Sequence, residues 1–195
     1  MRVLVLAFFV LISSGLASAQ TASGQQVTSA FAILTSSFDS KTAVAGQEIT
    51  FKTIADVVVK GTVIIPRGST VLAHVSDVRA KGKDQDPSAV AIVIEKAKRD
   101  DGIDVELQAI IAAVAPPRDM PTGASPVATS DLKDAVQEEL LNEKSSGAIG
   151  YDGLALSWGL ATLPPFTIFV TKNKSFKLSE RSQVLLRMAP PRLPK

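Results

Sequence analysis

From Ala30 onward the chain alternates between short apolar runs and turn residues, with few stretches long enough for a helix. Residues 31–34 form a compact apolar run. Residues 48–54 alternate polar and apolar, the pattern of a strand with one face in a core and one in water. Residues 57–59 and 61–65 read as two more strands, with a bend at Lys60-Gly61. The stretch VIIPRGSTVLAHV, 63–75, places a Pro-Arg-Gly corner between two apolar runs. A turn over 65–68, with Pro66 second and Gly68 fourth, fits that composition. It predicts a hairpin in which Val63 and Ile65 face Val71, Ala73 and Val75. Residues 88–98 alternate through Val90, Ile92 and Ile94. Asp101-Gly102 follows, a dipeptide that favours hairpins. Residues 103–114 then alternate before turning wholly apolar from Ala109 to Ala115. This predicts a long 88–115 hairpin as the central ribbon of a sheet.

Pro116-Pro117 ends that ribbon, and residues 118–129 carry Pro121, Gly123 and Pro126, a loop composition. Ser130 or Asp131 can cap a helix over about 131–144, where Leu132, Val136 and Leu140 form one stripe at i, i+4 and i+8. Residues 154–156, 166–170, 175–178 and 183–187 are further strand candidates. Many short strands, one short helix and frequent turns predict an all-β fold, an antiparallel barrel or sandwich. An outer-membrane barrel does not fit. Residues 109–115 lack the lipid-facing alternation, and one Trp, one Tyr and eight Phe cannot build two aromatic girdles.

The first twenty residues change the picture. Arg2 supplies a basic start, residues 3–12 are unbroken and apolar, and Ala17-Ser18-Ala19 has the small-x-small pattern of a cleavage site. This predicts a signal peptide over 1–19, hence a periplasmic or extracellular protein. The apolar run is too short to cross a bilayer, and no later segment has the length or apolarity to do so. A mobile leader over 20–29, one barrel-like domain over 30–189 and a tail over 190–195 complete the expected organisation. The chain has no cysteine. Its stability therefore rests on packing alone, and thiolate metal sites are excluded.

With 21 Lys and Arg against 19 Asp and Glu, the chain is near neutral, which argues against a nucleic-acid binder. The charge is nevertheless uneven. Residues 171–195 carry seven basic residues and only Glu180 as acid, while 131–144 carry five acids and two lysines.

Candidate chemistry is sparse. His74 is the single histidine. It could serve as a general base beside a serine, but a metal centre would need partners that no second histidine supplies. Its mid-strand place, on one face with Leu72, Ser76 and Val78, favours a structural or surface role. Ser130-Asp131-Leu132-Lys133 matches S-x-x-K, with Lys144-Ser145-Ser146-Gly147 as an echo of K-T-G. So short a pattern recurs by chance, and helix capping accounts for Ser130. Gly147, Gly150 and Gly153 follow the expected helix instead of opening one, so they read as turns and not as a phosphate cradle. Asp84, Asp86, Asp100, Asp101 and Asp104 are scattered over two loops and match no calcium loop. Tyr151 and Trp158 could line a patch for a small ligand or glycan. No catalytic, cofactor-binding or metal residue is assigned, and no cofactor is expected.

One block of sequence carries a resemblance. Residues 48–52 followed by Gly61-Thr62-Val63-Ile64-Ile65-Pro66-Arg67-Gly68-Ser69-Thr70-Val71-Leu72-Ala73-His74-Val75 are similar to a G-x-V-x-I-P-K/R-G-S-x-L-x-G-x-V pattern. The block resembles the β-barrel domain of TrbI-like conjugation proteins, scaffold subunits of type IV secretion systems. It is closer still to a group of uncharacterised secreted bacterial proteins that carry the same block. Residues 174–188 resemble their closing segment, with Glu180-Arg181-Ser182 in place of a glycine turn. The conjugation proteins' membrane anchor, proline-rich stalk and helical hairpin have no counterpart here. The resemblance implies a β-barrel and a non-catalytic binding or scaffold role, with an envelope protein or cell-wall component as partner. A ligand-binding barrel and a serine hydrolase using Ser130 and Lys133 are the other readings the residues leave open.

Overall fold

The structure is a computed structural model describing residues 27–80, 87–117, 141–159 and 164–189. Alternating burial shows why the strands form. In β1 (Thr28–Leu34), Ala30, Ala32 and Leu34 point inward. In β3 (Glu48–Thr53) it is Ile49, Phe51 and Thr53, and in β6 (Thr70–Arg79) Val71, Ala73 and Val75. The inward set of β7 (Ser88–Lys98), β12 (Phe166–Thr171) and β14 (Gln183–Met188) completes one core, with Phe51, Phe169, Ile94 and Leu186 almost fully enclosed.

The main sheet is a nearly closed barrel. Its order is β10 (Gly147–Ala148), β9 (Ala109–Ala115), β14, β1, β3, β6, β7, β12 and β11 (Leu154–Gly159). All its ladders are antiparallel except the two-residue pairing of β10 with β9. Two small ribbons sit outside it. One pairs β2 (Phe38–Asp39) with β13 (Lys177–Leu178). There Phe176 bridges Phe38 and Phe169, with ring centroids 6.0 and 5.5 Å apart. The other pairs β4 (Val57–Val59) with β5 (Thr62–Ile65). The expected Lys60-Gly61 bend joins them, with both residues at positive φ (50° and 81°), as a two-residue hairpin loop requires.

Several sequence expectations need correction. The 88–115 ribbon is not continuous. β8 (Asp104–Glu106) pairs with β7 over three rungs only, Lys98↔Asp104 to Lys96↔Glu106. From Val93 to Ser88 that same edge of β7 is occupied by β12. The chain must therefore leave, and β9 crosses to β14 instead. The 63–75 hairpin is also absent, because β5 pairs with β4 while β6 lies between β3 and β7. The corner remains, one residue later than expected. Ser69 N–H donates to Pro66 O at 3.2 Å, placing Gly68 third in the turn at φ 90°. Thr53 ties this corner to β3: its hydroxyl donates to Pro66 O at 2.8 Å, and its carbonyl accepts from Gly68 N–H at 2.8 Å. β1 starts at Thr28, inside the stretch expected as leader.

Residues 131–140 of the expected helix lie outside the described residues, as do the signal segment and the tail. Its last residues, 141–144, are not helical. Ser145 N–H donates to Asn142 O at 2.9 Å and Ser145 Oγ accepts from Asn142 N–H at 2.8 Å. Residues 142–145 form a local Asn-Ser turn in place of the expected helix end. Among the described residues, no helix is long and apolar enough to cross a membrane.

β9 closes the barrel. Its pairing with β14 skips Ala112, a bulge that reverses the alternation. Ala109, Ile111 and Val114 face the main core, whereas Ala112, Ala113 and Ala115 face a second cluster with Leu141, Leu185 and Phe31. At the bulge, Ile111 turns its backbone toward the far end of the sheet. Its N–H donates to Thr167 Oγ1 at 2.7 Å, and its carbonyl accepts from Trp158 Nε1 at 2.6 Å.

Thr167→Val keeps the shape but leaves a buried N–H without an acceptor. We expect a loss of about 1–3 kcal/mol in denaturant titrations followed by the fluorescence of the single tryptophan; an unchanged midpoint would show that the seam bond is dispensable. Gly68→Val should cost about 1–3 kcal/mol by backbone strain, since a Cβ there would meet Asp100 Oδ2 and Lys52 Cε only at an ordinary 3.9 Å while positive φ does not suit a β-branched residue. His74→Gln should cost much less, and melting curves showing the reverse order would contradict this account.

Candidate functional site

On the outer face of β3, β6 and β7, a second bulge shapes the chemistry. Ala73 pairs with Ile94 and Leu72 with Lys96, so Glu95 has no partner in the β6 register. Inward residues of β7 accordingly switch from Val90, Ile92 and Ile94 to Ala97. The extra residue sends the Glu95 side chain outward on the same side as Lys96, beside His74. Bulges of this kind re-aim a side chain while the strands continue.

His74 Nδ1 lies 2.7 Å from Glu95 Oε1, with the two side chains 34% and 50% exposed. Nδ1 itself is covered and makes no well-directed hydrogen bond. Glu48 stands directly across from His74 in the β3–β6 ladder. Gly46, Glu48, Leu72, Ala73, His74 and Glu95 line an open groove of about 330 Å³. Its rim is fixed by backbone bonds, Gly46 N–H to Val75 O at 2.7 Å and Val75 N–H to Gln47 O at 2.9 Å. No serine lines the groove, so His74 has no nucleophile to activate there. Among the described residues, no three His, Asp or Glu side chains form a metal-holding group.

Lys96, next to Glu95 in the chain, is already engaged. Lys96 Nζ donates to Asp104 Oδ2 at 2.6 Å. That hydrogen bond and the attached charge hold the ammonium above the ordinary lysine value and the carboxyl below the ordinary aspartate value. Arg99 pairs with Asp101 at 2.7 Å and donates to Ile64 O at 3.3 Å, tying the β4–β5 ribbon to the β7–β8 turn. Asp101 and Asp104 thus neutralise cations of their own hairpin and are not gathered around a calcium site. Asp84, Asp86, Ser130, Asp131 and Lys133 lie outside the described residues.

The aromatic pair near the glycines has structural duties. Trp158 donates its indole N–H to the β9 seam. Tyr151 lies 2.8 Å from Ser182 Oγ, which donates onward to Ser179 O at 2.7 Å. The phenol therefore donates to the serine. Gly150 and Gly153 sit in turns as expected, at φ 71° and 70°, whereas Gly147, at φ 85°, opens β10. Lys144 and Ser145 belong to the Asn142 turn, and Arg187 caps it with bonds to Glu143 O and Ser145 O at 2.9 and 3.2 Å.

Sequence reading singled out His74 but missed Glu48 and Glu95 as its neighbours. The signal for Glu95 was present: the apolar positions of β7 change parity after Ile94, which only an extra residue explains. Glu48 required the β3–β6 register.

Burial pushes the Tyr151 phenol above its ordinary value, and the Ser182 contact opposes this only in part. A raised folded-state value means that the folded protein holds the proton more tightly than the unfolded chain. Stability is thus retained below about pH 10 and falls as pH rises through the folded value. Because the chain has a single tyrosine, ultraviolet titration of tyrosinate reads this site alone. The midpoint should lie above 10 in the native protein and return to about 10 in denaturant; equal midpoints would refute the assignment.

No protein-family model and no curated protein matches this sequence. Among solved structures, the chain is similar to ComB10 of the Com type IV secretion system of Helicobacter pylori, with a TM-score of 0.42 and 13% identity over 86% of this chain and 88% of that one.

Proposed function

We propose that this protein is a non-catalytic, secreted or periplasmic β-barrel that binds or scaffolds other components of the cell envelope. One observation carries the reading: the barrel interior is filled. Phe51, Phe169, Leu34, Ile65, Ile94, Ile111, Leu186 and Met188 are each almost fully enclosed in one core. A packed interior leaves recognition to the outer surface, as in a docking module, and works against the reading of an internal ligand chamber. The engagement of Trp158 and Tyr151 in structural hydrogen bonds supports the same view. The signal-like first 19 residues and the IPRGS block add an envelope location and a kinship with secretion scaffolds to the proposal.

Fractionation of cells carrying the tagged full chain, followed by crosslinking, tests it. The protein should appear in the periplasmic or extracellular fraction and crosslink to an envelope protein or cell-wall fragment. Recovery in the cytoplasm, or the absence of any adduct, would count against the reading.

A further inference from the structure

We propose that the groove between Glu48 and Glu95 receives an arginine side chain from an extended basic segment of a partner protein. The inference rests on the binding reading above and names the chemistry that the partner presents.

Charge complementarity comes first. Two carboxylates, Glu48 on β3 and Glu95 at the β7 bulge, border the groove on either side of His74. Lys96, next to Glu95 in the chain, is held by Asp104, and Glu95 and Glu106 add to the negative field around it. Among the described residues Glu48 has no ion pair, and Glu95 has only its contact with His74; two carboxylates so placed on a near-neutral protein are a local attractor for a cation. The shape narrows the choice. At about 330 Å³ the groove lies at the small end of the range for ligand sites, and it is open on one side. It fits one side chain entering from solvent.

Arginine uses every wall. Its guanidinium presents donors along more than one edge and can serve two carboxylates at once, whereas an ammonium is a single point of charge. The half-buried His74 ring offers a flat face for the guanidinium plane, and half-buried Leu72 offers apolar surface for the methylene stem.

The lone histidine makes the test direct, because its ring-proton resonance needs no assignment in a chain with one His. The purified full chain is titrated with acetyl-Gly-Gly-Arg-Gly-Gly-amide, with the same peptide carrying citrulline for arginine, and with zinc chloride. The arginine peptide should give a saturable shift of the His74 resonance and the citrulline peptide none. Glu48→Gln and Glu95→Gln should each weaken binding about two- to fivefold. Unaltered Trp158 fluorescence in both variants confirms an intact barrel.

Equal shifts with citrulline, no saturable shift, or unchanged affinity in both glutamine variants would overturn the proposal. So would a response to zinc chloride alone, which would make the groove a cation site. The peptide titration uses purified protein and reads the groove alone, whereas fractionation reads location and partner. Failure of one is therefore distinguishable from failure of the other.

Discussion

The barrel depends on how Ile111 is held. A sheet that curls without closing leaves two terminal edges, and the backbone groups on those edges need partners. Here the two ends meet through side chains. Thr167 and Trp158, paired on neighbouring strands, take the N–H and the carbonyl of Ile111 across the gap. The Ala112 bulge makes this possible by turning the β9 backbone out of its regular alternation. Ala112, Ala113 and Ala115 are almost completely enclosed because Leu141, Leu185 and Phe31 cover the face that would otherwise meet water.

That constraint propagates to the surface. Once β12 occupies the edge of β7 from Ser88 to Val93, β8 can pair only with the far end, and β9 is released to close the seam. Lys96 and Asp104 then meet as diagonal neighbours across the short β7–β8 ladder, so the cation next to the Glu95 bulge is already paired. The negative character of the groove is thus linked to the topology of the closure.

Much of this was legible from alternation. The β7 strand, the Lys60-Gly61 bend, β14 and the all-β class follow from period-two burial and turn chemistry, which are local. Partners were not legible. The 88–115 stretch reads as one ribbon because both halves favour strands and a turn dipeptide joins them. Nothing local records that β12, far along the chain, competes for the same edge. The 63–75 stretch failed likewise: its corner was recognisable, but the choice of β4 over β6 as partner for β5 is tertiary. His74 stood out by rarity alone. Its acidic neighbours were hidden, because one is placed by a register and the other by a bulge.

The bulge at Glu95 separates the fold from its surface chemistry. Removing that one residue would join Ile94 directly to Lys96 and remove the break between Leu72 and Ala73 in the β6–β7 register, with Ala97 still facing the core. The carboxylate can therefore be gained or lost through a single-codon insertion or deletion that spares the packing beneath it. An exterior built in this way can change its binding chemistry by small genetic steps while the barrel stays the same.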